Sequence, residues 1–251
     1  EYNMVFAALM SGGSSLFGQV MGQTLLLETL LAENEIEEII PPKQLQAPVL
    51  SALPPELTSY SGIYISSTEM LKINVGADGK TVVTSISDKS QPNEIYYYTA
   101  EGVFVNENGS KQFSFADESN GKTYINLKRI YNLPDLGQTV STLYQYEKTE
   151  PNIIDDKVQD TWDARAGSKY YIVNEHPYSQ FYHRSESTYF EIAANKELPG
   201  YTVQFKIVDD KRAVQDVQIP GLDGRDLVTI EILSESGKEY LKSDNCIYIS
   251  E

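Results

Sequence analysis

The sequence predicts a mainly β protein: two antiparallel β-barrel or sandwich modules, preceded by a strand and a long α-helix. Three observations carry this. From Ser59 onward, short segments alternate apolar and polar residues with the period of two that a half-buried strand requires. Turn residues, Asp78-Gly79 and Asn120-Gly121 among them, separate those segments at close spacing. Ahead of them lies a crowded apolar run with helical character.

Taken in order, Tyr2–Met10 reads as a buried strand, and Ser11-Gly12-Gly13-Ser14-Ser15 turns it into a helix from about Leu16 to Ile40. Ser14 or Ser15 suits the N-cap, where a hydroxyl satisfies an orphan helix N–H. Leu16, Phe17, Val20, Met21, Leu25, Leu26, Leu27, Leu30 and Leu31 make more apolar surface than one strand covers. A lone strand also lacks neighbours for its backbone donors and acceptors. Residues 1–40 are therefore expected to be the terminal strand and helix of a domain that lies mostly before Glu1. The alternative is a self-contained α/β start docked on the all-β remainder.

Pro41-Pro42, Pro48 and Pro54-Pro55 make residues 41–55 an extended linker. The first β module, 56–150, has strands at Met70–Val75, Thr81–Ile86, Glu94–Tyr98, Gly102–Val105, Lys111–Phe115 and Tyr124–Leu127. Asp78-Gly79 and Asn120-Gly121 are its hairpin signals. The second module, 151–251, has strands at Lys169–Val173, Thr188–Ile192, Tyr201–Phe205, Leu227–Ile232 and Cys246–Ile249. A short helix near Val158–Arg165 opens it. The two halves share no residue-level repeat and are expected to be alike in architecture only.

Composition narrows the function. The 251 residues suffice for about two domains. Twenty basic against 36 acidic residues give a net charge of −16, and every segment of the chain is acidic. Nucleic acid and other anionic polymers are thereby excluded as expected partners. A single cysteine, Cys246, precludes an intrachain disulfide. Gln, Thr and Glu interrupt the Leu-rich helix, so it does not read as a membrane span.

The strand–Ser-Gly-Gly-Ser-Ser–helix pattern, then proline-rich spacing and Leu57-Thr58-Ser59-Tyr60-Ser61-Gly62-Ile63-Tyr64, resembles the C-terminal end of serine β-lactamase-like proteins. That family includes class C β-lactamases, penicillin-binding proteins and D-Ala-D-Ala carboxypeptidase-like hydrolases. Leu57, Tyr60, Gly62 and Tyr64 match the start of the lipocalin-like modules that many bacterial members carry. The likeness covers about a third of the chain and weakens beyond Pro151, where it rests on Trp162, Tyr170-Tyr171 and the Ile219–Leu227 turn. The resemblance implies a non-catalytic C-terminal accessory region, extracellular or on a bacterial cell surface. Its implied partners are an upstream catalytic domain of the same polypeptide and peptidoglycan. A lipocalin-like module that binds a small apolar ligand or a glycan is the alternative function.

The family's chemistry needs a Ser-x-x-Lys nucleophile, a Tyr-x-Asn or Ser-x-Asn element and a Lys-Thr-Gly strand. No Ser-x-x-Lys nucleophile is read here: Ser85 has Asp88 at that spacing, and Lys89 has Ile86. Tyr124-Ile125-Asn126 fits Tyr-x-Asn but lies in an alternating strand pattern, and Lys-Thr-Gly is absent. The catalytic set is expected upstream, and no catalytic, cofactor or metal residue is assigned to this chain. Leu16 breaks a nucleophile elbow at Ser14. A site around His176 or His183 remains a third hypothesis, that of a complete hydrolase. Asp155, Asp156, Asp160 and Asp163 lack the spacing of a calcium loop.

Eighteen tyrosines suggest stacking on sugar rings or a ligand in a barrel mouth. Tyr96, Tyr98, Tyr178 and Tyr182 are the candidate ligand-binding residues, although tyrosine is equally a favoured strand residue. The exposed Leu-rich helix and N-terminal strand are expected to drive self-association.

Overall fold

The computed structural model describes residues 2–9, 15–133, 137–176, 178–179 and 189–251. Two β modules follow an N-terminal helix. Strands β1 (Gly62–Ile65), β2 (Met70–Val75), β3 (Lys80–Ser85) and β4 (Glu94–Tyr98) form the first half of a closed barrel. Strands β5 (Phe104–Asn106), β6 (Lys111–Asp117), β7 (Thr123–Leu133) and β8 (Gly137–Thr149) complete it. Each strand pairs antiparallel with the next, and β1 pairs with β8 to shut the ring (Ile63 opposite Thr149, Ile65 opposite Glu147). A 3-10 helix over Pro55–Tyr60 caps one end, where Leu53 and Leu57 pack on the barrel core.

The second module repeats the up-and-down order without closing. Its strands are β9 (Lys169–Ile172), β10 (Tyr189–Glu191), β11 (Tyr201–Thr202), β12 (Phe205–Ile207), β13 (Arg212–Val214), β14 (Thr229–Glu235), β15 (Lys238–Ser243) and β16 (Cys246–Ser250). The order in the sheet is β10-β9-β16-β15-β14-β13-β12-β11, so the ring stays open between β10 and β11. An isolated bridge, Ala194 to Thr202, spans that gap. Helix α2 (Asp156–Arg165) precedes the sheet, capped by Asp155, whose side chain accepts from the Lys157 N–H at 2.9 Å. Its Trp162 is buried in the core of this module, and the indole N–H donates to the Asp209 carbonyl at 2.8 Å.

Several expectations are corrected. Residues 2–9 form no strand: no described strand pairs with them, and Val5 and Leu9 are exposed. A strand without a neighbour leaves its backbone groups to solvent. Phe6 instead lies against Gly22, where a Cβ would clash with its ring at 2.1 Å. The helix, α1 (Ser15–Ala32), stops well before Ile40. Asn34 adopts φ 59°, the Glu35 N–H bonds the Leu30 carbonyl at 2.9 Å, and the Asn34 N–H bonds that of Leu31 at 3.1 Å. That double closure is a Schellman stop with asparagine in the left-handed position.

Tyr201–Phe205 is not one strand but the hairpin β11–β12, with Val203 at φ 51° in its turn. The Asp78-Gly79 and Asn120-Gly121 turns are longer than two residues. In each, the amide of the residue after glycine bonds the side chain of Asp78 or Asn120, and glycine takes the positive φ. Strands β1, β8, β13 and β15 join those expected. The β8 pattern is hard to read because Gln145 is an extra residue opposite Ile125/Asn126, a bulge that reverses the alternation. Tyr146 therefore points into the barrel, whereas Tyr144 stacks on Tyr124 outside it at 5.2 Å.

The modules are joined by a third apolar cluster. Ile63, Ile65, Met70 and Tyr124 of the barrel pack with Leu198, Tyr201, Val217 and Ile219 of the second sheet. Polar ties frame it. The Ser67 N–H and hydroxyl donate to the two Asp223 carboxylate oxygens at 2.9 and 2.7 Å. The Ser67 carbonyl accepts from Gln204 and Gln215. Buried Glu147 pairs with Lys122 and accepts from the Gln218 N–H at 3.0 Å, while the Tyr124 hydroxyl donates to the Gln218 carbonyl at 2.8 Å. Among the described residues no helix is long and apolar enough to cross a membrane.

Glu147→Ala leaves the Lys122 ammonium and the Gln218 amide without their acceptor. It should lower stability by about 1–3 kcal/mol in urea unfolding. An unchanged midpoint would show that the junction does not bear on stability.

Candidate functional site

The barrel interior is the best-formed concavity that carries convergent polar groups. Inward positions recur every second residue: Leu71 and Ile73 on β2, Glu94 and Tyr96 on β4, Lys111 and Phe113 on β6, and Ile125, Leu127 and Arg129 on β7. They enclose a cavity of about 250 Å³. At the capped end, Tyr64, Phe104, Phe113 and Phe115 fill the lumen with ring contacts, Phe104 and Phe113 stacking at 4.9 Å. Toward the other end the walls stay apolar (Leu71, Ile73, Val83, Ile125, Leu127), and charged groups gather at the mouth.

Register explains that gathering. Glu94 begins β4 and Lys111 begins β6, two strands that run in the same direction, and Arg129 sits directly opposite Lys111 on β7. Lys111 forms an ion pair with Glu94, whose other oxygen accepts the Tyr96 hydroxyl at 2.5 Å. The Tyr146 hydroxyl donates to Glu69 at 2.5 Å. The Arg129 Nε is buried and has no hydrogen-bond partner.

Burial works against the Glu94 charge, but hydrogen bonds from Lys111 and Tyr96 and the nearby charges of Lys111 and Arg129 outweigh it. Its carboxyl lies below the ordinary range. Burial, then the hydrogen bond to a carboxylate, holds the Tyr96 and Tyr146 phenols above their usual value. Burial also opposes the Arg129 charge, and the Tyr131, Tyr146 and Tyr96 side chains reverse that effect. The result is a cavity with partly apolar walls and a charged rim.

The tyrosines proposed from sequence do not converge. Tyr96 is buried and lines the cavity. Tyr98 faces the same interior but packs edge-on to Phe104 at 5.3 Å near the capped end, away from the cavity. Tyr178 is 85 % exposed on a loop, its ring 5.4 Å from that of His176. It is therefore no part of the lumen. Tyr182 and His183 lie outside the described residues.

Sequence reading missed Glu69, Glu94, Lys111, Arg129 and Tyr146. The signal for two of them was present: a charged residue in the inward phase at one end of an apolar alternation, as in Lys111-x-Phe113 and Leu127-x-Arg129. It also missed one Ser-x-x-Lys spacing, Ser119–Lys122. These residues occupy the β6–β7 turn, and Lys122 is tied to Glu147. The nearby Tyr124 of the Tyr-x-Asn pattern is fully buried at the junction between modules. No cluster of three potential metal ligands occurs among the described residues.

Tyr64, Tyr96 and Tyr146 keep their protons when folded at a pH where the unfolded chain loses them. Stability is therefore full below the ordinary phenol value of 10.0 and falls as pH rises above it. The urea midpoint should drop above that pH, with tyrosinate absorbance from these residues appearing together with unfolding. Complete tyrosine ionisation near the ordinary value in a still-folded chain would overturn this. No protein-family model matches the chain, and no curated protein and no solved structure matches it significantly.

Proposed function

We propose that the chain is a non-catalytic binding region whose barrel lumen receives a small, largely apolar ligand. The carrying observation is the cavity of about 250 Å³ inside the closed barrel, with Leu71, Ile73, Val83 and Leu127 on its walls and Glu69, Glu94, Lys111 and Arg129 at its rim. A filled barrel would need only apolar side chains there, whereas this one places charge where a ligand's polar end would sit. Indole, neutral and small, should bind the full chain saturably in calorimetric titration. Leu127→Trp, which fills the lumen, should weaken that binding by at least about tenfold, or about 1.4 kcal/mol. Equal binding by this variant would place the ligand elsewhere.

A second observation favours a place for this region beside another domain. Phe17, Met21 and Leu25 recur at every fourth position of α1 and leave an apolar stripe that the β modules do not cover. Together with the sequence resemblance, the stripe supports an accessory region of an exported bacterial serine hydrolase of the β-lactamase or penicillin-binding type. There it would space or present substrate at the cell wall, and in isolation the same stripe would promote self-association. A fluorescent penicillin should leave this chain unlabelled. Labelling that disappears in Ser119→Ala would overturn the non-catalytic reading.

A further inference from the structure

The four charged side chains of the lumen are not equivalent. Lys111 and Glu94 form an ion pair, and Glu94 also feels the charge of Arg129 at longer range. Arg129 and Glu69 remain, opposite in sign, and among the described residues neither has an ion-pair partner within 4.0 Å. The Arg129 Nε is buried without a hydrogen-bond partner. Glu69 accepts the Tyr146 hydroxyl through one oxygen, and the same phenol feels the charge of Arg129. Arg129, with the Tyr131 phenol beside it, and Glu69, each without an ion pair, thus lie around the Tyr146 ring at the edge of a cavity walled by Leu71, Ile73, Val83 and Leu127.

A buried charge or donor without a partner is costly, and a ligand that supplies the partner recovers that cost. A simple carboxylate would satisfy Arg129, yet it would leave Glu69 unpaired and add negative charge to a chain already at −16. A simple amine would leave the Arg129 Nε unmatched. A molecule that carries both groups satisfies both ends and adds no net charge. About 250 Å³ exceeds the ~150 Å³ of a cavity that holds benzene, which suits a molecule of leucine size.

We propose that the lumen binds a small zwitterion with an apolar side chain, its carboxylate on Arg129 and its ammonium toward Glu69. This rests on the reading of the lumen as a ligand site. The test is calorimetric titration of the full chain with L-leucine, N-acetyl-leucine (carboxylate only) and leucinamide (ammonium only), beside indole as a probe of the cavity alone. Leucine should bind at least tenfold more tightly than either blocked form. In Glu69→Gln the gap between leucine and N-acetyl-leucine should close, and in Arg129→Gln the gap between leucine and leucinamide should close. A variant that merely loses its fold would bind none of the probes, and circular dichroism identifies that case. A refolding-competent Glu69→Asp or Arg129→Lys then replaces it, with the same gap expected to narrow. Indole binding without preference for leucine would overturn the zwitterion assignment and leave the ligand site standing. Binding of neither leucine nor indole would overturn both. Gaps that persist in folded variants would also overturn the assignment of the two charges.

Discussion

Much of this structure depends on the burial of both faces of one short strand. β1 has only four residues, yet Tyr64 fills the barrel while Ile63 and Ile65 fill the junction with the second module. Its backbone pairs with β2 on one edge and β8 on the other, so the same residues close the barrel. Apolar side chains on alternate positions normally give a strand one dry face. Here the outer face is dry because Leu198, Tyr201, Val217 and Ile219 cover it. Barrel closure and module docking are therefore one packing problem, and Glu147, at the end of the β1–β8 pairing, ties its rim to Gln218.

The two modules solve the problem of a curled sheet in different ways. The open sheet draws in α2, and Trp162 occupies its core with Tyr170, Ile172 and Phe205 around it. Arg165 of the same helix sits 5.2 Å from the Trp162 ring and pairs with Glu239, so the helix is held from both sides. The closed barrel has only a 3-10 helix at one end and stays partly empty. Its polar groups are linked in pairs, phenol to carboxylate and ammonium to carboxylate, which keeps most of them satisfied without filling the space. Arg129 lies beside the Tyr131 phenol and near the Glu94 charge. No carboxylate is within ion-pair distance of it among the described residues and its Nε lacks a hydrogen-bond partner, which gives the cavity a chemical direction.

Helix α1 stands apart from both cores. Val20 is buried and Gln23 reaches the Gln138 carbonyl on β8, but Phe17, Met21 and Leu25 face outward. Phe6 crosses it at Gly22, so the N-terminal segment covers part of the helix as irregular chain. The residues after Ala32 leave the helix at Asn34 and run extended beside the barrel, where the Ser51 N–H bonds the Tyr98 carbonyl at 3.0 Å. Proline-rich composition and the backbone that it favours thus carry the chain from α1 to the cap of the barrel.

By itself the sequence determined the β class, the positions of β2, β4, β6 and β9, the short helix before the second module, and an acidic charge along the whole chain. Those follow from period-two alternation, turn residues and charge, all of which are local or additive. Only the tertiary structure decided the closure of one ring and the gap in the other, because strand neighbours far apart in sequence set both. It also decided the fate of residues 2–9, which have strand composition but no edge to join, and it separated Tyr144 from Tyr146 through a bulge that no alternation reveals. The candidate site was half legible. Tyr96 could be named from its strand, whereas Arg129, Lys111 and Glu69 become one site only when barrel register sets the starts of β2 and β6 beside the middle of β7 around a common mouth. A charge in the inward phase of a strand is visible in one dimension; whether another side chain neutralises it is a property of the closed barrel.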